Sequence, residues 1–158
     1  MIQRPQTLFF LAITTVCLML MFSDTVFYTT ENTFTNELCQ VEYDETKMIA
    51  ADGEDQESNT WIFSFAAAVG LLSFVSIFLF KNRKLQLLLS SFNYLFILGI
   101  IVMMYVYSLN MQYFEGEGVN STFTFYSLIP MALIGLNYFG ARGVRRDEML
   151  VRSMDRLR

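Results

Sequence analysis

The sequence predicts an all-α membrane protein: a four-transmembrane-helix bundle with both termini cytoplasmic and short β-strands in its outer loops. Three observations predict it. Of the 158 residues, 54% are apolar and only 16% charged, against about a quarter charged in an ordinary soluble domain. Four windows of about 20 apolar residues match the ~30 Å hydrocarbon thickness at 1.5 Å per helical residue. Finally, the charges segregate between the connecting segments in a way that fixes orientation. Mean hydropathy is +0.39.

The predicted spans cover about 7–27, 61–80, 85–107 and 123–140. Each is expected to be helical, because an open strand in lipid leaves its backbone polar groups unpaired. The first span is read as uncleaved, since no A-x-A-like site follows it. Ten of the eleven Lys and Arg fall at the N-terminus, in the 81–84 turn or in the C-terminal tail. Lys47 alone lies on the other side. Twelve of the fifteen acids share the Lys47 side, giving −11 there and +7 on the basic side. The net −4 and the pI of about 4.8 describe neither face.

The long outer loop, 28–60, divides in two. Residues 28–41 are rich in Thr, Phe, Tyr and Val and predict one or two strands, with residues 120–125 as a supporting neighbour. Residues 44–59 carry most of the acids and read as a mobile, solvated acidic face. Their oxygens suit a hard cation, but the D-x-[DN]-x-[DN]-G spacing is absent. Cys17 lies within the first span and Cys39 in the outer loop, too far apart to bridge. Cys39 is read as a partly buried thiol, with pairing to a partner subunit as the alternative.

Intramembrane polar groups are the default functional candidates in such a chain. They are few here. Asp24 lies near the outer end of its helix and reads as interfacial. Thr14, Thr15, Ser76, Ser90, Ser91, Asn93 and Asn137 form a polar layer toward the basic side, read first as glue between helices. Ala66, Gly70 and Ser73 make a small-residue face that lets another helix approach closely. With Asn93 they are the predicted helix-packing residues. Pro130 is expected to kink the fourth span by freeing the carbonyl of Tyr126. Gly140 and Gly143 read as a hinge between a membrane domain, 1–140, and a basic amphipathic tail, 141–158.

In that tail Val144, Leu150, Val151, Met154 and Leu157 share a helical face. The apolar stripe and its arginines suit the anionic inner surface of a membrane or a protein partner. The predicted docking residues are Arg145, Arg146, Leu150, Val151, Arg152, Met154, Arg156 and Leu157. The chain has no His, no nucleophile–base pair and no Gly-rich phosphate loop, so no catalytic, cofactor-binding or metal residue is assigned. Membrane lipids and a protein partner in the membrane or at its cytoplasmic face are the expected partners, with no nucleic acid and no assigned small-molecule substrate. The functional expectation is a non-catalytic accessory or scaffold subunit of a larger membrane complex. The alternative is a small transporter or lipid-handling protein built around Asn93.

The two ends of the chain carry a recognisable pattern. Met1-Ile2-Gln3-Arg4-x-Gln6-Thr7-Leu8, Lys81-Asn82-Arg83-Lys84-x-Gln86 and Asp147-Glu148-x-Leu150-Val151-Arg152-Ser153-x-Asp155-Arg156-Leu157-Arg158 resemble the domain of unknown function 4293 family. Pro5 stands where that pattern has an aliphatic residue. The resemblance spans the whole length and implies a small four-span inner-membrane protein of Gram-negative bacteria. It implies acidic loops in the periplasm and no catalytic residues. A claudin-like or tetraspanin-like reading is set aside, because both families use outer-loop cysteine pairs and this chain has one outer cysteine.

Overall fold

The computed structural model describes residues 5–34, 37–50, 53–80, 82–110 and 119–155. Helix α1, Pro5–Phe22, leads into strands β1 (Val26–Asn32), β2 (Glu37–Glu42), β3 (Glu45–Ala50) and β4 (Gly53–Ser58). Helices α2 (Thr60–Phe78) and α3 (Arg83–Asn110) follow as an antiparallel pair. Strand β5 (Val119–Phe123) and a 3-10 turn (Phe125–Leu128) lead into α4, Ile129–Asp155.

The five strands form one antiparallel sheet in the order β4-β3-β2-β1-β5. The first four make a meander, and β5 returns to pair Tyr28 with Phe123 and Thr30 with Ser121. Alternate residues of β2 turn inward, which buries Cys39 and Val41. Gly53 opens β4 with φ +151°, a conformation that glycine adopts without a Cβ clash.

The helices pack in a closed ring. α1 lies against α2 and α4, and α3 lies against the same two. The sheet joins one end of this ring, where α1 and α3 finish and α2 and α4 begin. The other end holds the α2–α3 turn, the start of α1 and the charged half of α4. One stripe of α3 points inward: Gln86, Ser90, Asn93, Ile97, Ile100, Met104 and Ser108 are buried at steps of three and four. Phe10, Ile13, Cys17 and Leu20 from α1, Ile62, Ala66 and Val69 from α2, and Leu133 and Val144 from α4 fill the space between.

The expectation of an all-α four-span bundle is overturned. A five-stranded sheet occupies the supposed outer loop 28–60 and its partner segment. By length and composition, two helices among the described residues suffice to cross a membrane, α2 and the Arg83–Leu109 stretch of α3. The expected first span loses five residues, because α1 ends at Phe22 and the chain turns into β1. The expected fourth span loses six to β5, Thr124 and the 3-10 turn. In α4 only about 20 Å of helix precedes Arg142, short of a ~30 Å hydrocarbon layer.

Three local expectations also change. Residues 45–50 and 53–58 are strands, so the 44–59 segment is not simply a solvated acidic face. Gly140 and Gly143 are no hinge, because α4 runs unbroken through both. Pro130 is the second residue of α4, where its missing N–H interrupts no helical ladder. The nearby carbonyl of Tyr126 accepts the Tyr43 hydroxyl at 2.8 Å.

Candidate functional site

The helices bury a set of polar groups among their apolar core and turn large apolar side chains outward. Asn93 is fully buried, while Leu95, two residues on, is 62% exposed. The Asn93 amide donates to Ser73 Oγ at 2.8 Å, joining α3 to α2. Ser90 Oγ donates to Asn137 Oδ1 at 2.9 Å, and Asn137 Nδ2 donates back to the Ser90 carbonyl at 2.9 Å. Gln86 Nε2 donates to the Ser76 carbonyl at 3.0 Å, close to the α2–α3 turn. Among the described residues, Asn93 Oδ1, Gln86 Oε1 and both side-chain polar atoms of Gln6 find no partner.

Of the predicted packing residues, Ala66, Gly70 and Ser73 are buried on the inner side of α2. A Cβ built on Gly70 would lie 3.1 Å from Cys17 Cβ, so the glycine sets the α1–α2 approach. Gly143 and Gln6 stand in the same relation between α4 and α1, also at 3.1 Å. Gln6 and Gln86 enter the sequence reading only as residues of the terminal and turn motifs, with no packing role assigned to either. The inward stripe of α3 is the signal for Gln86, since it falls four and seven residues before Ser90 and Asn93.

Of the predicted docking residues, Arg145, Arg146 and Leu150 are exposed and Val151 is half-buried. The side chains of Arg152 and Met154, and Arg156 and Leu157 altogether, lie outside the described residues. Among the described residues Val144 is the last fully buried one of α4, and beyond it Met149 is 65% and Leu150 56% exposed.

At the opposite end a polar lock joins the sheet to the helices. Asn59 precedes α2 and is buried. Its Nδ2 donates to the Glu42 carbonyl at 2.7 Å, its Oδ1 accepts from Thr46 Oγ1 at 2.9 Å, and its backbone N–H donates to the Asp44 carbonyl at 2.7 Å. Glu42 is buried too, and Lys47 pairs with it and with Glu45. The Phe27 and Tyr43 rings pack beneath, 5.2 Å apart. Cys39 is fully buried rather than partly so, and burial pushes its thiol up to about 11. That state is unreactive at neutral pH. Among the described residues, no group of three His, Cys, Asp or Glu side chains is placed to hold a metal ion.

The family model for a domain of unknown function, DUF4293, matches residues 2–157. The chain belongs to that family. No curated protein matches it. In this DUF4293 protein the helical ring, the sheet and the terminal motifs therefore fall within a single family unit.

Proposed function

We propose that this DUF4293 protein is a non-catalytic accessory subunit of a bacterial inner-membrane complex. In this reading the helical body sits in the bilayer, anchored by α2 and α3. Its basic end faces the cytoplasm and the sheet faces the periplasm. The observation that carries the reading is the large apolar outer surface of the helices, set against polar groups buried within their core. Ser73, Ser76, Ser90, Asn93 and Asn137 are buried, while Leu71, Phe74, Leu88, Leu95, Leu98 and Val102 are exposed. Apolar surface on that scale suits a lipid solvent, and interhelical hydrogen bonds suit a lipid-embedded interior.

The docking part of the reading rests on α4. Past Val144 it projects Met149 and Leu150 beside Arg145 and Arg146, with nothing among the described residues packed over them. A cytoplasmic protein partner accounts for apolar side chains on an otherwise charged helix. The test is co-purification. An epitope is placed within 111–118, the protein is extracted in mild detergent, and co-eluting proteins are compared with those from a Met149→Asp, Leu150→Asp variant. A stoichiometric partner lost from the variant supports the reading. Monomer alone from both versions overturns it. Sidedness is tested by membrane-impermeant labelling of single cysteines placed at Arg146 and at Thr29, which should react from opposite faces.

The transport or lipid-handling alternative has one observation in its favour, the unpartnered Asn93 Oδ1 and Gln86 Oε1. Against it, the same Asn93 amide is committed to Ser73. Uptake or lipid-transfer activity abolished by Asn93→Leu, with the fold intact, would favour that alternative.

A further inference from the structure

α3 and α4 leave a small cleft near the basic end of the ring. Its wall and rim come from Tyr94 on α3 and from Tyr138, Ala141, Arg142 and Arg145 on α4. The four α4 residues fall at steps of three, four and seven, so one face of the helix supplies them all. Ala141 is the floor, 7% exposed, and its small side chain creates the depth. The cleft measures about 150 Å³, well above the ~15 Å³ that a single water needs.

The chemistry of the lining is one-sided. Two guanidiniums and two phenol hydroxyls can donate hydrogen bonds, and no carboxylate lines the cleft. Among the described residues neither Arg142 nor Arg145 is in an ion pair. Asp147 and Glu148 follow on the same helix, but neither lines the cleft. Paired guanidiniums offer the planar forks that match phosphate oxygens. Arginines placed between helices at the cytoplasmic side of a membrane also suit anionic headgroups.

We propose that this cleft binds a phosphate-bearing anion, with Arg142 and Arg145 as charge partners, Tyr94 and Tyr138 as hydroxyl donors, and Ala141 leaving the space. A glycerophospholipid headgroup is one source of that anion and free phosphate is the other. The lipid source rests on the membrane reading above, whereas the cleft itself does not.

The test uses the full chain, delipidated in a neutral detergent and studied by native mass spectrometry. It is offered an equal mixture of phosphatidylglycerol and phosphatidylcholine, and separately inorganic phosphate. Retention of phosphatidylglycerol over phosphatidylcholine supports a headgroup site. Binding of inorganic phosphate with the same variant pattern supports a phosphate site fed from solution. Arg145→Gln should lower binding roughly fivefold, the effect of one basic residue at an anionic surface. Lys84→Gln removes the same charge from an exposed position on the same end of the ring but outside the cleft and should weaken binding less than Arg145→Gln does. Ala141→Leu fills the floor without touching any charge and should abolish binding. Equal losses from Arg145→Gln and Lys84→Gln, or no binding of either anion by the unmutated chain, overturns the proposal. Release of the native protein from membranes by alkaline carbonate would sink the membrane reading. Anion binding that persists with this variant pattern would still uphold the cleft.

Discussion

Lys47 Nζ lies 3.1 Å from both carboxylate oxygens of Glu42, a side chain that is almost wholly buried where the sheet meets the helices. Burial raises the Glu42 carboxyl above its ordinary 4.5, and the Lys47 bond offsets only part of that cost. Bonds to Glu45 and Glu42 hold Lys47 above its ordinary 10.5. Both groups therefore bind their protons more tightly when folded. Each contribution is complete below the unfolded value and is lost as pH rises through the folded one. Sheet stability should fall once as pH rises above about 4.5, and again above 10.5. Glu42→Gln should remove the first decline. Lys47→Met should cost about 1–3 kcal/mol at pH 7, discounted because Lys47 is a quarter exposed, and Glu42→Gln should rescue it. Hydrogen exchange of β2 and β3 amides across pH measures all three. An unchanged pH profile in Glu42→Gln would refute the assignment.

Asn59 satisfies both ends of its side chain inside the protein, with Glu42 and Thr46 as partners. Asn59→Ala removes two buried hydrogen bonds and leaves the Glu42 carbonyl and the Thr46 hydroxyl to find others. The expected cost is about 2–4 kcal/mol. It should appear as faster exchange in β2 and β3, while the amides at the centre of α3 stay protected. Uniform loosening of both regions would show that sheet and helices unfold as one unit instead.

The apolar cores of all four helices are legible from hydropathy, because long apolar windows report burial in lipid and burial in protein alike. That same ambiguity hides where each helix stops. Phe123 and Phe125 extend an apolar run in the sequence, yet the first ends β5 and the second opens the 3-10 turn. Strands β1 and β5 announce themselves through Thr, Phe and Tyr alternation. β4, with the sequence GEDQES, has no strand signal, and its place is set by backbone pairing to β3. The Asp52-Gly53 dipeptide is a hairpin signal in the sequence, and Gly53 opens β4 opposite Ala50. In the sequence Lys47 is the one base on the acidic side. Its partner Glu42 is recognisable only once β2 and β3 pair, because a buried acid and an exposed one look identical in sequence.

Glycines 70 and 135 allow a matched comparison within the helices. An added Cβ at Gly70 would meet Cys17 Cβ at 3.1 Å, whereas one at Gly135 meets nothing within 4 Å. Gly135→Ala should stabilise by up to ~1 kcal/mol through helix propensity alone. Gly70→Ala gains the same propensity but must push α1 from α2 by a few tenths of an ångström. Overpacking of that kind costs about 1–3 kcal/mol, so the net effect should be destabilising. Thermal unfolding of the two variants in one detergent should move in opposite directions. Parallel shifts would mean that α1 yields freely at Cys17.

Asn137 and Asn93 are both fully buried, but they differ in how completely they are satisfied. Asn137 exchanges two hydrogen bonds with Ser90, using both its amide and its carbonyl oxygen. Asn93 donates once to Ser73 and leaves Oδ1 unpartnered. Interhelical bonds in a lipid-embedded body are worth about 0.6–2 kcal/mol each. Asn137→Leu loses two bonds and takes away the acceptor of the buried Ser90 hydroxyl, so it should cost about 2–3 kcal/mol. Asn93→Leu loses one bond and also removes an unsatisfied carbonyl oxygen, so it should stay within about 1 kcal/mol of the parent. Detergent-denaturation midpoints of the two variants give the comparison directly. If Asn93→Leu proved the more damaging, Oδ1 would have a partner beyond the described residues, and the lipid-handling alternative would gain support.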